Sequence, residues 1–400
     1  MIKIHFILTI SISLTLISCK NSTHPKDNII TVNVTNKYPH KELYLQDIFD
    51  VEYIPLETND EFITTASPQD ITKDIILFKD LNRVNTGNIF IFRRDGKGLI
   101  KINRLGQGAE EYVYPLGVIF DEEKEELFVN DIPGKKIVVY DLNGNFKRNF
   151  KQKEGIYYDK IDNFNQNYLI CNDGYWGINK SKAKRNYFML VSKQDGSIKE
   201  IPIPYQKKIY PMVEAQSTTG RVIYAIYNMQ QIPLLDSWIL MEPSSDTIYS
   251  YTQDHILKPF IVRSPSIQSM DIEVFLYLGA ITDRYYFMQT VKKEFDVENE
   301  TGFPTKELMY DRDEGVIYEC FIYNADFDNK KPISMVYERP IVPAIINNEE
   351  VSFITRLEAH DLIEAYEKGK LKGRLKEIAA ELDEDSNPVI MIAKHKNRND

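Results

Sequence analysis

The sequence predicts an all-β fold, a six-bladed β-propeller, and three observations carry that prediction. A hairpin signal recurs along the chain: a run of apolar or aromatic residues, an Asp-, Asn- or Glu-Gly turn, then a second run. Its copies are residues 89–92 before Asp95-Gly96, 137–140 before Asn143-Gly144 and 188–191 before Asp195-Gly196. A weaker copy lies at Glu314-Gly315, and Ser245-Asp246-Thr247 is a degenerate turn between the last two. A further short strand precedes each copy, at 75–78, 127–129, 168–171, 238–241 and 285–288. A unit of roughly 40 to 55 residues with about four strands is the size of a propeller blade. The second observation is composition, since 25 Tyr and 20 Phe against only 18 Gly favour pleated, half-buried strands. The third is the lack of helical period from about residue 43 to 355, which excludes a doubly wound sheet or a barrel with crossover helices.

Taken in order, the chain opens with Lys3 and a run from Phe6 to Ile17 in which eight of twelve residues are strongly apolar. That is the length of a secretion signal, and too short for the ~20 residues that span a bilayer. Residues 1–18 are therefore read as a leader, and the polar, aperiodic stretch 19–29 as a flexible tether. One propeller domain fills 30–400. Its blades are expected at 62–103, 112–150, 155–202, 209–262 and 267–325, with a sixth built from the C-terminal part. Either 30–34 or 51–56 is expected to supply the strand that closes the ring. A small helical insertion is placed at about 355–383. Thr355-Arg356-Leu357-Glu358 fits a capping box, Leu362, Ile363 and Tyr366 follow, and Gly369 fits a helix exit. Leu371, Leu375, Ile378 and Leu382 then form one apolar stripe of a second helix, stopped by Asn387-Pro388.

Three passages carry a family resemblance. The run Asp47-Ile48-Phe49-Asp50-Val51-Glu52-Tyr53-Ile54-Pro55-Leu56-Glu57-Thr58, the run Arg104-Leu105-Gly106-Gln107-Gly108-Ala109-Glu110-Glu111-Tyr112, and the terminal Leu382-Asp383-Glu384-Asp385-Ser386-Asn387-Pro388-Val389-Ile390-Met391 resemble the six-bladed β-propeller lipoproteins of Bacteroidetes. The middle run departs from the family's Pro-Gly-Glu-Tyr at Ala109-Glu110-Glu111-Tyr112, which implies a looser loop. Blade 2 is also similar to an NHL repeat, through Gly108, Pro115-Leu116-Gly117-Val118, Asp121, Leu127-Phe128-Val129-Asn130-Asp131 and Asn143-Gly144. Leu16-Ile17-Ser18-Cys19 looks like a lipobox, which implies a lipid anchor on Cys19 and a place in the cell envelope, at the outer membrane.

Chemistry is sparser. With 49 basic against 59 acidic side chains the net charge is -10, the wrong sign for binding nucleic acid by phosphate neutralisation. No histidine has a partner at metal-ligand spacing, and no G-x-S-x-G elbow occurs. The sequence therefore predicts no catalytic residue, metal site or cofactor. Calcium is a minor alternative at Asp121-Glu122-Glu123-Lys124-Glu125-Glu126, read first as a solvated hairpin tip, and at Asp326-Phe327-Asp328-Asn329. Cys171 and Cys320 are expected as buried free thiols.

Candidate ligand-binding residues are the aromatics Tyr157, Tyr158, Tyr175 and Trp176, whose faces stack on sugars or partners, and Arg93, Arg94 and Arg104, placed toward an axial funnel. The alternative for both sets is structural: packing between blades, or a solvated strand end. The function expected is non-enzymatic binding of a glycan, peptide or envelope protein. The rivals are a polysaccharide lyase or glycosidase with carboxylates in the funnel, and a structural subunit of an outer-membrane assembly.

Overall fold

In the computed structural model, residues 29–80, 86–174, 186–216, 218, 220, 222–226, 231–336 and 344–396 are described. Their runs of Ile, Val, Phe and Leu pair into six four- or five-stranded sheets around a common axis, as predicted. Blade 1 comprises Ser67–Ile71, Ile75–Lys79, Asn88–Arg93 and Gly98–Asn103. Blade 2 comprises Pro115–Asp121, Glu126–Asp131, Lys136–Asp141 and Phe146–Lys151. Blade 3 comprises Tyr158–Asn163, Tyr168–Asp173, Phe188–Ser192 and Ile198–Ile201. In each, the first strand lies innermost and touches the first strand of the next blade. The second and third strands are apolar on both faces because neighbouring blades cover both, and Phe78, Phe90, Phe92, Phe128, Tyr140 and Phe188 are fully buried there. The aromatic excess thus serves the seams between blades, as in the edge-on pair Tyr112 and Tyr140, 6.1 Å between centroids.

The turns that mark the repeats also join the blades. Gly96, Gly144 and Gly196 all have positive φ, and each abuts the outer strand of the preceding blade. A Cβ on Gly96 would stand 2.2 Å from the Pro55 carbonyl oxygen, so both backbone conformation and space demand glycine.

The other three blades recruit the start of the chain. β1 (Ile30–Asn33) adds a parallel fifth strand outside blade 4, which comprises Gln231–Leu234, Ser237–Leu240, Thr247–Thr252 and Leu257–Ser264. β2 (His40–Tyr44) does the same outside blade 5, which comprises Val274–Ile281, Tyr285–Lys292, Thr305–Asp311 and Val316–Tyr323. After the single turn α1 (Leu45–Ile48), β3 (Phe49–Pro55) becomes the outer strand of blade 6, beside Val389–His395, Val351–Leu357 and Ala344–Ile345. Both segments proposed for closure are thus used, but only the second closes the ring, while the first braces blade 4 from outside. Lys41 on β2 is clamped to the inaccessible Asp311 at 3.0 Å, where Arg284 also binds at 2.9 Å.

Two expectations need correction. Blade 4 begins at Gln231 rather than 209, because Met212–Gln216 and Val222–Ile226 pair only with each other as a separate hairpin. The capping box at Thr355 is not formed: Thr355 is β-branched, stays in its strand and pairs with Met391. The first helix, α2 (Ala359–Glu367), starts after Glu358 and ends at Gly369 with φ +64°. α3 (Gly373–Ala379) buries Leu375 and Ile378 against blade 6 and the connection from blade 5, as its stripe implied. Of the three apolar residues expected in the first helix, Leu362 is buried, Ile363 is half-buried and Tyr366 is exposed. Cys171 in blade 3 and Cys320 in blade 5 are buried free thiols.

Candidate functional site: the axial cluster and the connector end

The two ends of the ring are unequal. At one end, tight turns such as 94–97, 142–145 and 312–315 join strands within a blade. At the other lie the long connections 202–230, 293–304, 324–343 and 358–388, carrying the free hairpin, the small hairpin Phe295–Asp296 with Thr301–Gly302, and helices α2 and α3. Long connections on a rigid scaffold are where binding groups concentrate. Two of them meet, since the Thr218 amide donates to Glu298 at 2.8 Å.

Innermost strands leave one edge facing the axis, and polar side chains satisfy it. Gln69 Oε1 accepts from the Val118 amide at 3.2 Å, and Asp70 accepts from the amides of Ile71, at 2.8 Å, and Phe120. Across the ring, Lys160 Nζ donates to the Gln231 carbonyl at 3.1 Å and lies 3.5 Å from Asp162. Gln231 Nε2 donates to Asp162 Oδ2 at 2.7 Å. Burial, with the negative charges of Asp162 and Glu122 adding to it, pushes the Asp70 carboxyl up to about 7. The axis therefore holds a carboxyl shifted toward its protonated form, with a second carboxylate, Asp162, beside Lys160. Sequence reasoning missed this cluster because its members come from different blades. The polar inner strand Ser67-Pro68-Gln69-Asp70, beside the mostly apolar run Ile75-Ile76-Leu77-Phe78, was the available signal.

The residues expected at the site fall elsewhere. Arg93, Arg94 and Arg104 lie on or beyond the outer half of blade 1, away from the axis where they were placed. Arg93 pairs with Asp95, and Arg94 reaches Glu350 at 3.1 Å, bridging blades 1 and 6. Arg104 donates to the Gly144 carbonyl at 2.9 Å, bridging blades 1 and 2. Tyr158 is fully buried between blades. Tyr157 is half-buried at the entry to the inner strand of blade 3, where its amide donates to Asp173 at 2.9 Å. Tyr175, Trp176 and Cys19 lie outside the described residues.

That Asp173 contact belongs to a repeated latch. Asp80 accepts from the Thr65 amide, Asp131 from those of Val113 and Tyr114, and Asp173 from that of Tyr157. In each of blades 1 to 3 the acid at or just after the end of the second strand thus fixes the chain entering the first. The acidic run of blade 2 is only partly a solvated tip. Asp121 forms an inaccessible ion pair with Lys193 at 2.5 Å, and Arg148, with Lys147, holds Glu126 down to about 2. Asp326 accepts from the Tyr53 hydroxyl at 2.8 Å, and Asp328 pairs with Lys372 at 3.3 Å, so this acidic run ties β3 and α3 to the ring. The loop around Glu111 is tight rather than loose. Gly106 N donates to the Tyr112 carbonyl at 3.0 Å, Tyr112 N donates to the Arg104 carbonyl at 3.0 Å, and the buried Tyr112 donates its hydroxyl to the Gly87 carbonyl.

The ring is similar to that of a candidate exported protein of Bacteroides fragilis, at 15% identity, with 92% of this chain and 100% of that one covered and a TM-score of 0.58. A member of the DUF4221 family from Bacteroides vulgatus aligns at 12% identity over 88% of this chain and 98% of that one, with a TM-score of 0.44. At such identities the likeness speaks to the fold alone. Among curated proteins none matches. The model for "Domain of unknown function (DUF4934)" matches residues 29–394, from the strand that braces blade 4 to the strand that completes blade 6, and the chain belongs to that family.

Proposed function

We propose that the protein is exported, held in the bacterial envelope by lipid on Cys19, and binds a glycan, peptide or envelope protein through the connector end of its ring without turning it over. The observation that carries this reading is the asymmetry of the two ends, which leaves one face tightly turned and the other built from hairpins and helices. The leader-like start of the sequence supports the address, and the similar Bacteroides fragilis protein is itself described as a candidate exported protein. A glycan and envelope-protein binding screen on the full chain tests the activity. Capture that survives removal of the hairpin 212–226, and separately replacement of the helical insertion by a short turn, would place binding elsewhere. Replacing Cys19→Ala is expected to release the protein from membrane fractions, and unchanged fractionation overturns the lipid anchor.

A second reading, a propeller lyase or glycosidase, is favoured by the axial pair Asp70 and Asp162. Both carboxylates are engaged in satisfying strand edges or in pairing with Lys160 and Gln231, which is why binding is preferred. Product formed from a polysaccharide panel, and lost in Asp70→Asn, would reverse that order. Use of the helical insertion as a docking element for a larger assembly is less supported, because Leu362, Leu375 and Ile378 spend its apolar stripe on its own ring.

A further inference from the structure

At the end of the ring opposite the long connections, a cavity of about 1300 Å³ opens among the turns of blades 4, 5 and 6. It is larger than the roughly 300 to 1000 Å³ of sites that hold one drug-sized molecule, and so has room for a short stretch of chain. Residues 234–237 and 252–254 of blade 4, 281–286 and 312–313 of blade 5, and 347–349 and 395–396 at blade 6 form most of its wall. One buried side chain fixes its base. Asn347, 2% exposed and with φ +43°, donates from Nδ2 to the Pro233 carbonyl of blade 4 at 3.2 Å. Its Oδ1 accepts from the Ile281 amide of blade 5 at 3.2 Å and from the Ser352 hydroxyl of blade 6 at 3.1 Å. Three blades thus meet at one amide, so the cavity is formed before a ligand arrives and little freedom is lost on binding.

Charges of both signs line this space without being spent on the fold. Arg312 stacks over the Tyr286 ring, 5.3 Å from its centroid, and Nη1 donates to the Asp283 carbonyl at 2.6 Å. Those contacts hold the guanidinium in place and leave its other N–H donors for a ligand, and among the described residues it has no carboxylate partner. By contrast Arg284, in the same wall, is committed to Asp311 at 2.9 Å. The two turns of blade 4 present Asp236 and Asp254, whose carboxylates have neither an ion pair nor a hydrogen bond among the described residues. Leu235, 64% exposed, adds an apolar contact at the rim. A wholly anionic ligand would meet the two carboxylates and a wholly cationic one would meet Arg312, whereas a ligand with one charge of each sign satisfies both.

We propose that this cavity binds a short peptide with free ends, its α-carboxylate received by Arg312 and its α-amino group by Asp236 and Asp254. The site lies at the other end of the ring from the connector face and does not rest on that face being a binding surface.

The pentapeptide Ala-Ala-Leu-Ala-Ala serves as the probe, followed by ligand-detected NMR on the full chain. The free-ended peptide is expected to bind, and acetylating its amino end or amidating its carboxyl end should each weaken binding about tenfold, the scale of one hydrogen bond to a charged group. Arg312→Gln should weaken the free peptide to the same degree and no longer distinguish the acid from the amide. Asp236→Asn combined with Asp254→Asn should no longer distinguish the amine from its acetylated form. These substitutions change exposed side chains, and an unchanged circular dichroism spectrum checks folding; should a variant fail to fold, the blocked peptides on the parent protein decide alone. No binding by the free peptide overturns the proposal, as does equal binding of the blocked forms, or binding that both variants leave intact. Removal of the hairpin 212–226 is expected to leave peptide binding unchanged, and loss on that removal would move the peptide to the connector end and overturn this site. The partner screen at the connector end is read separately, so either can fail while the other succeeds.

Discussion

Blades 1 to 3 and blades 4 to 6 are two answers to the same packing problem. In the first half each seam is a separate apolar cluster, sealed by a turn glycine and, at each blade's entry, an Asp latch. In the second half the seams merge into one cluster that runs from Val32 and Leu45 through Phe275, Met335 and Phe353 to Leu375, joining the N-terminal arm, three blades and the helical insertion. The Met335 carbonyl accepts from the Ala280 amide at 2.9 Å and packs so closely on Gly279 that a Cβ there would stand 2.0 Å away. The difference teaches that a repeated device can be replaced by recruitment: where the turns lose their hold on the neighbouring blade, other parts of the chain supply it.

Leu375→Asp is expected to break the comparison most forcefully. A carboxylate in a fully buried position should cost about 4 kcal/mol, and if the second half is one cooperative body, blades 4 to 6 should lose amide protection together while blades 1 to 3 keep theirs. Uniform loss around the ring would erase the distinction. Next comes a pair of glycines. Gly96→Ala should cost about 3 kcal/mol, because φ is +84° and the new methyl meets the Pro55 carbonyl. Gly315→Ala, with φ +67° but open space around it, should cost only about 1 kcal/mol by denaturant unfolding. Equal costs would mean that the turn glycines do not seal the seams of the first half.

A third expected effect is a pH slope from the axis. Asp70 has its carboxyl raised from 3.8 to about 7, so the folded state favours the protonated form. Its stabilising contribution is present below about pH 4 and is lost as pH rises through 7. Asp70→Asn should remove that slope, leaving the variant more stable than the parent by about 2 kcal/mol at pH 8, allowing for partial solvent screening. Parallel stability curves for the two proteins would show that Asp70 is ordinarily ionised.

The first half was the legible one. Repeats at Gly96, Gly144 and Gly196 can be read because each does the same job in a local hairpin. Blade 6 resisted because, among the described residues, its inner strand is only Ala344–Ile345 and its outer strand comes from the opposite end of the chain. Thr355 was misread as a cap because Thr-x-x-Glu satisfies a helix start equally well on paper, while pairing across to Met391 is invisible locally. The candidate site was the least legible part. Arginines and tyrosines stand out in a sequence, yet Arg94 and Arg104 bridge blades and Tyr158 fills a seam, while Gln69, Asp70, Asp162 and Gln231 converge only once the ring has formed.

The closure of blade 6 has a consequence for the order of events in making this protein. β3 pairs along its whole length with Val389–His395, Phe49 against His395 and Pro55 against Val389, so nearly the entire chain must exist before the ring can shut. Blades 1 to 3 use contacts close in sequence and can form as soon as they emerge, but β1, β2 and β3 must wait, unpaired, for strands synthesised long after them. For a chain delivered N-terminus first, the arm is thus an exposed set of strand edges for most of its delivery. A factor that shields residues 30–55 during that interval would speed maturation without touching the finished ring.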